Sequence, residues 1–146
     1  MTIKNTQIFT RPWVVKDMLN MLDSEIWTDP ASYFYEPSFG DGAFLIGVMK
    51  KSYRALKKHY STIPSKKDHA REIALSETLN KIQGIELDEK YVIKARQRCF
   101  RFARAIMKME RRFDYVAFSE YMTANVLMDK LEHGDFFKRF GKAKKF

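Results

Sequence analysis

The feature that most constrains this chain is a short aromatic run that passes without a break into a glycine-bearing turn. Ala31-Ser32-Tyr33-Phe34-Tyr35 follows Asp29-Pro30 and reads as a buried strand. It leads directly into Glu36-Pro37-Ser38-Phe39-Gly40-Asp41-Gly42, a segment of turn formers. Phe44, Leu45, Val48, Met49, Ala55 and Leu56 then recur on one side of a helix. A strand, a glycine turn and a helix in immediate succession are the opening of a parallel α/β unit, because parallel strands need a helical crossover between them.

The flanking segments fit the same alternation. Thr10-Arg11-Pro12 predicts a helix start, with Thr10 as cap and proline in the first turn, followed by Val15, Met18, Leu19 and Leu22 at helical spacing. Residues 57–80 are polar and charged, broken by Pro64-Ser65, and predict a surface connection with a short helix over 68–79. Lys81–Leu87 predicts a second strand. From Asp88 a long helix is expected, with Tyr91, Ala95, Cys99, Phe102 and Ile106 inward and Arg96, Arg98, Arg101 and Arg104 outward. Residues 113–122 are expected to be helical, and a third strand is expected within 124–137. The expected class is α/β, a short parallel sheet of about three strands flanked by helices, in a single domain over residues 1–146.

Composition narrows the function classes. A formal net charge of +9 favours polyanionic partners, nucleic acid first, although lysines that merely face water would give the same sum. The excess concentrates at Lys50, Lys51, Arg54, Lys57 and Lys58, then at Arg96–Arg112 and Lys138–Lys145. Cys99 is the only cysteine and the three histidines are scattered, so neither an intramolecular disulfide nor a metal site is expected. No run reaches the length of a membrane span or a signal peptide, and a reducing cytoplasm is the expected location.

Three places carry candidate chemistry. Gly40 and Gly42 allow a tight bend and close backbone approach to a ligand, while the helix start beyond offers free N–H groups to an anion. An ordinary strand–helix turn would look the same. Glu86, in Gly84-Ile85-Glu86-Leu87-Asp88, ends an apolar strand where packing gives no reason for an acid. A carboxylate there can accept from two ribose hydroxyls, or alternatively pair with one of the many arginines. Asp88 reads as the cap of the next helix. In His133-Gly134-Asp135-Phe136-Phe137, Asp135 could accept from an adenine amine and Phe136 lie against the ring. A β-turn with core aromatics explains that segment equally.

Taken together, these elements resemble the N6-adenine DNA methyltransferase family. Glu36-Pro37-Ser38-Phe39-Gly40-Asp41-Gly42-Ala43-Phe44-Leu45 is similar to its E-P-S-x-G-x-G-x-F-L signature. Phe9-Thr10-Arg11-Pro12 resembles its F-T-P element with Arg11 inserted, Gly84–Asp88 its G-I-E-L-D, and Gly134-Asp135-Phe136 the start of its G-D-F-L. The resemblance runs from Phe9 to Phe137 in the family's order. It implies a partial Rossmann-like methyltransferase fold that binds S-adenosylmethionine. Thr10 would touch the methionine carboxylate, and Glu36 and Gly40 would border the methionine moiety. Glu86 would hold the ribose, and Asp135 with Phe136 the adenine. Pro37, Ser38, Gly42, Phe44 and Leu87 complete the implied cofactor-binding set.

The family's catalytic N-P-P-Y or D-P-P-Y loop has no counterpart here. The chain's four prolines are Pro12, Pro30, Pro37 and Pro64, all before the third element. The expectation is therefore a truncated cofactor-binding part of a restriction–modification type methyltransferase, inactive alone. In this topology the first strand would lack its neighbour on one side. Tyr33, Phe34 and Tyr35 would form an open edge, covered by a second chain, a homodimer contact or a local rearrangement. The expected partners are DNA and such a second chain. The alternative is a non-enzymatic DNA- or protein-binding module on a degenerate methyltransferase scaffold.

Overall fold

The computed structural model describes residues 9–107 and the backbone of 127–128. In chain order these form α1 (Pro12–Asn20), a 3₁₀ turn (Ser24–Trp27), β1 (Phe34–Glu36), α2 (Ala43–Ser61) and a second 3₁₀ turn (Lys67–His69). Then come α3 (Ala70–Asn80), β2 (Ile82–Ile85), α4 (Glu89–Met107) and β3 (Leu127–Met128). The three strands make one parallel sheet in the order β1-β2-β3. Phe34, Tyr35 and Glu36 lie opposite Ile82, Gln83 and Gly84, and Gly84 and Ile85 lie opposite Leu127 and Met128. The α/β class and the parallel sheet are as expected, with β2 in the middle. Among the described residues no strand pairs along the outer side of β1.

The first strand begins later than its sequence suggests. Asp29 takes the Ala31 N–H at 2.9 Å and the Ser32 hydroxyl at 2.9 Å, an Asx turn that holds 29–32 out of extended pairing. Those two hydrogen bonds also lower the Asp29 pKa, the backbone bond most. The Lys81 ammonium, on a residue only 3% exposed, donates to the Asp29 carbonyl and, at 3.2 Å, to the Ser32 carbonyl. Burial pulls the Lys81 pKa down. Phe34 then stacks on buried Trp27 at 4.9 Å, which brings the first 3₁₀ turn against β1.

Helix α1 is capped differently from expectation. Arg11 occupies the N-cap, and its carbonyl accepts from Val14 and Val15 at 3.0 and 3.1 Å, while Thr10 lies outside the helix. Of its apolar residues only Val15 and Leu19 are buried; Met18 and Leu22 face outward. The reason is Gly47 on α2. A Cβ there would come within 2.6 Å of Val15 Cγ1 and 3.0 Å of Leu19 Cδ1, so α1 rests in the space that glycine leaves.

The connection after α2 is not surface throughout, which corrects the expectation for 57–80. Helix α3 packs along α2, and Leu56, Tyr60, Ala70 and Ala74 form a small core of their own. Leu75 and Leu79 join the main core with Leu45, Met49, Ile82 and the buried stripe Val92, Ala95, Cys99 and Ala103 of α4. Ala95 and Cys99 lie inward as expected, and Phe102 and Ile106 pack, partly buried, against the core; Tyr91 departs from the expected stripe and meets Phe9 edge-on at 5.4 Å. Burial pushes the Cys99 thiol up to about 12, so it serves as a small apolar side chain. Asp88 caps α4 as expected: its carbonyl accepts from Tyr91 and Val92, and its side chain from Lys90 at 3.0 Å. Among the described residues, no helix is long and apolar enough to cross a membrane. The expected helix over 113–122 lies outside the described residues.

Candidate functional site

The carboxyl ends of β1 and β2 point the same way, so Glu36 and Glu86 stand at neighbouring strand tips. Between them runs the glycine turn. The Phe39 N–H reaches the Ile85 carbonyl at 3.2 Å, extending the ladder past β1. The buried Phe39 ring covers Gly84, where a Cβ would come within 2.7 Å of Phe39 Cδ1 and 3.1 Å of the Glu36 carbonyl oxygen. A glycine inside a strand thus marks a close approach. Gly40 and Gly42 hold φ of 54° and 90°, values that side-chain-bearing residues avoid. Gly42 is the N-cap of α2, and its carbonyl accepts from Ile46 at 2.9 Å.

Glu86 pairs with no arginine among the described residues. Its carboxylate accepts the Gly40 N–H at 2.8 Å and the Asp88 N–H at 3.0 Å. At 6% exposure it forms a buried brace joining the tip of β2, the glycine turn and the start of α4. Each oxygen keeps a second lone pair, so the brace does not use up the carboxylate. Leu87, next in the chain, is 61% exposed at the same tip.

Glu36 is half-buried, and burial raises its pKa, partly offset by a long 3.4 Å hydrogen bond from the Ser38 N–H. It lines a hollow of about 130 Å³ together with Phe44, Tyr35 and Leu45. Glu86 is not among the residues lining that hollow. A volume of about 130 Å³ is below the ~300 Å³ at which ligand pockets for drug-sized molecules begin, so this hollow alone cannot enclose a nucleoside.

The remaining candidates divide. Pro37 and Ser38 are exposed at the turn. Thr10 follows Phe9, which lies on Tyr91 in the first turn of α4, and precedes α1, whose Pro12 shares a cleft with Ala43 at the start of α2. Gly42, expected to face a ligand, instead makes room for α4: a Cβ on it would lie 3.0 Å from Ala95 Cβ. Asp135 and Phe136 lie outside the described residues.

Sequence reasoning missed two positions. Arg98 leaves the outward arginine stripe to pair with Asp41 at 3.0 Å and to donate to its carbonyl at 3.1 Å. Phe39, hidden in the variable position of the turn motif, is a core residue. The signal for Phe39 was its spacing from Gly84, which only the pairing of β1 with β2 makes legible. Comparison with protein-family models, curated proteins and solved structures finds no match.

Proposed function

We propose that this chain is the S-adenosylmethionine-binding part of a DNA adenine-N6 methyltransferase-like protein, built on a partial Rossmann-like sheet. One observation carries the reading: acids end two adjacent parallel strands on either side of a left-handed glycine turn that opens a helix. Ligands of open α/β sheets bind beyond such strand ends. Glu86 has lone pairs left for ribose hydroxyls, and exposed Leu87 can cover one face of a base. Glu36, with Thr10, Pro37, Ser38, Gly40 and Phe44, would hold the methionine end, where a carboxylate suits the cofactor's positive groups. Asp135 and Phe136 are assigned to the adenine by the sequence resemblance alone.

Isothermal titration with S-adenosylmethionine tests this directly, and Glu36 supplies a pH signature. Its raised pKa means that it becomes protonated at a higher pH than an ordinary glutamate. A cationic ligand is attracted by the ionised form only. Affinity should therefore be full at neutral pH and fall as pH drops through that raised value, and Glu36→Gln should abolish this dependence. Absence of binding at millimolar cofactor would remove the reading.

The partners that follow are DNA and a second chain along the side of β1 that no described strand covers. Light scattering should find a species of twice the chain mass, and β1 amides should be protected in it from hydrogen exchange. A monomer whose β1 amides exchange freely would refute the second chain.

A further inference from the structure

A second cavity lies away from the strand tips, between α1 and α2. It is a cleft of about 480 Å³, floored by Val15, Leu19 and Ile46. Five cations line it and no carboxylate does. Two of them are engaged: Arg98 with Asp41, and Lys51 with the Leu19 carbonyl at 2.9 Å and the Asn20 side chain at 2.8 Å. Lys16, Lys50 and Arg54 have no partner among the described residues. Lys50 and Arg54 stand about one turn apart on α2, with Lys16 facing them from α1.

The same helix, α1, carries an aromatic side chain that the fold does not use. Trp13 is 62% exposed and sits three residues before Lys16, on the same side of α1. The other tryptophan, Trp27, is buried against Phe34. A row of unpaired cations beside an exposed ring is the combination that holds a single strand: the cations track phosphates and the ring stacks on a base. A net charge of +9 favours the encounter.

We infer that the α1–α2 cleft is a binding site for single-stranded nucleic acid, with Lys16, Lys50 and Arg54 on the backbone phosphates and Trp13 stacked on a base. The inference stands apart from the cofactor reading, because none of these residues is among those proposed to hold the cofactor.

Fluorescence anisotropy of a labelled oligothymidylate, read with tryptophan emission, tests it on the full chain. Binding should quench Trp13 emission and weaken with salt. Counterion release of about 0.7 per phosphate contact gives the three cations a log–log salt slope of about −2. Lys16→Gln, Lys50→Gln and Arg54→Gln together should flatten the slope by that amount and weaken binding about a hundredfold near 0.1 M salt. Trp13→Ala should remove the quenching and weaken binding about tenfold without changing the slope. All four side chains are exposed, so urea midpoints should hold. Equal charge removal elsewhere, Lys57→Gln, Lys58→Gln and Lys67→Gln, should leave binding within a factor of a few. Equal loss in that control would overturn the site in favour of diffuse attraction. Duplex of the same length binding as tightly, or inorganic phosphate competing at millimolar concentration, would overturn the single-stranded assignment.

Discussion

Replacing Glu86 with alanine should lower the folding free energy by about 3 kcal/mol and abolish S-adenosylmethionine binding measured well below the unfolding transition. The first effect follows from the two backbone donors. Gly40 and Asp88 give their N–H groups to a single buried carboxylate at 2.8 and 3.0 Å. Removing it leaves a donor without an acceptor on each side of the strand tip, and a hydrogen bond to a charged group contributes about 1.5–3 kcal/mol. Glu86→Gln retains one carbonyl oxygen but turns an NH₂ toward the other donor, so its loss of stability should be roughly half as large. Urea denaturation with an unchanged slope reads this effect cleanly. Unaltered stability in Glu86→Ala would show that the brace contributes nothing. Loss of stability with cofactor affinity intact in Glu86→Gln would leave the brace standing and remove Glu86 from the ribose.

Gly42→Ala should cost a similar amount, about 3 kcal/mol, by a different route. Two terms add. The residue holds φ 90°, where a Cβ is penalised by about 1–2 kcal/mol. The new methyl would also lie 3.0 Å from Ala95 Cβ and 3.2 Å from Ala95 Cα, and overpacking of this kind costs about 1–3 kcal/mol. The second contact is with backbone, so α4 itself must move. That movement would draw Arg98 away from Asp41 and loosen the turn on its other flank. The terms separate in a double-mutant cycle. Ala95→Gly removes the methyl contact but not the φ penalty, so the two changes together should be less destabilising than their sum. Strict additivity would show that the close approach of α4 to the turn is not felt.

Both predictions concern residues that the sequence singled out and whose work the fold revised. Glu86 was legible as an anomaly, an acid ending an apolar strand. Its actual partners lie at Gly40, 46 positions away, and in the first residues after β2, and no spacing rule joins them. Gly42 was legible as a bend, and its φ agrees, but the space it leaves is taken by α4 and not by a ligand. The arginine stripe of α4 read as one solvated face, yet Arg98 is committed to Asp41 because α4 crosses the start of α2 at Ala95.

Elsewhere the errors have local causes. β1 was placed too early because apolar character alone does not reveal that Asp29 folds residues 29–32 into a turn, which Lys81 then locks from the end of α3. Helix α3 was read as surface because Ala70, Ala74 and Thr78 are small and weakly apolar. Such residues become core only when a neighbouring helix approaches closely, as α2 does here.

What consecutive residues determine by themselves is the succession of elements: a strand, a left-handed bend at Gly40 and Gly42, a helix, and later a second strand and a helix capped by Asp88. Those features follow from sterics and periodicity within a few residues of chain, and they were readable before any fold. The tertiary structure alone decided the pairing of β1 with β2, the burial of Phe39 on Gly84, the brace at Glu86 and the cationic cleft beneath α1. Each of these depends on groups brought together from distant parts of the chain, whose burial and hydrogen bonding are set by packing and not by sequence spacing.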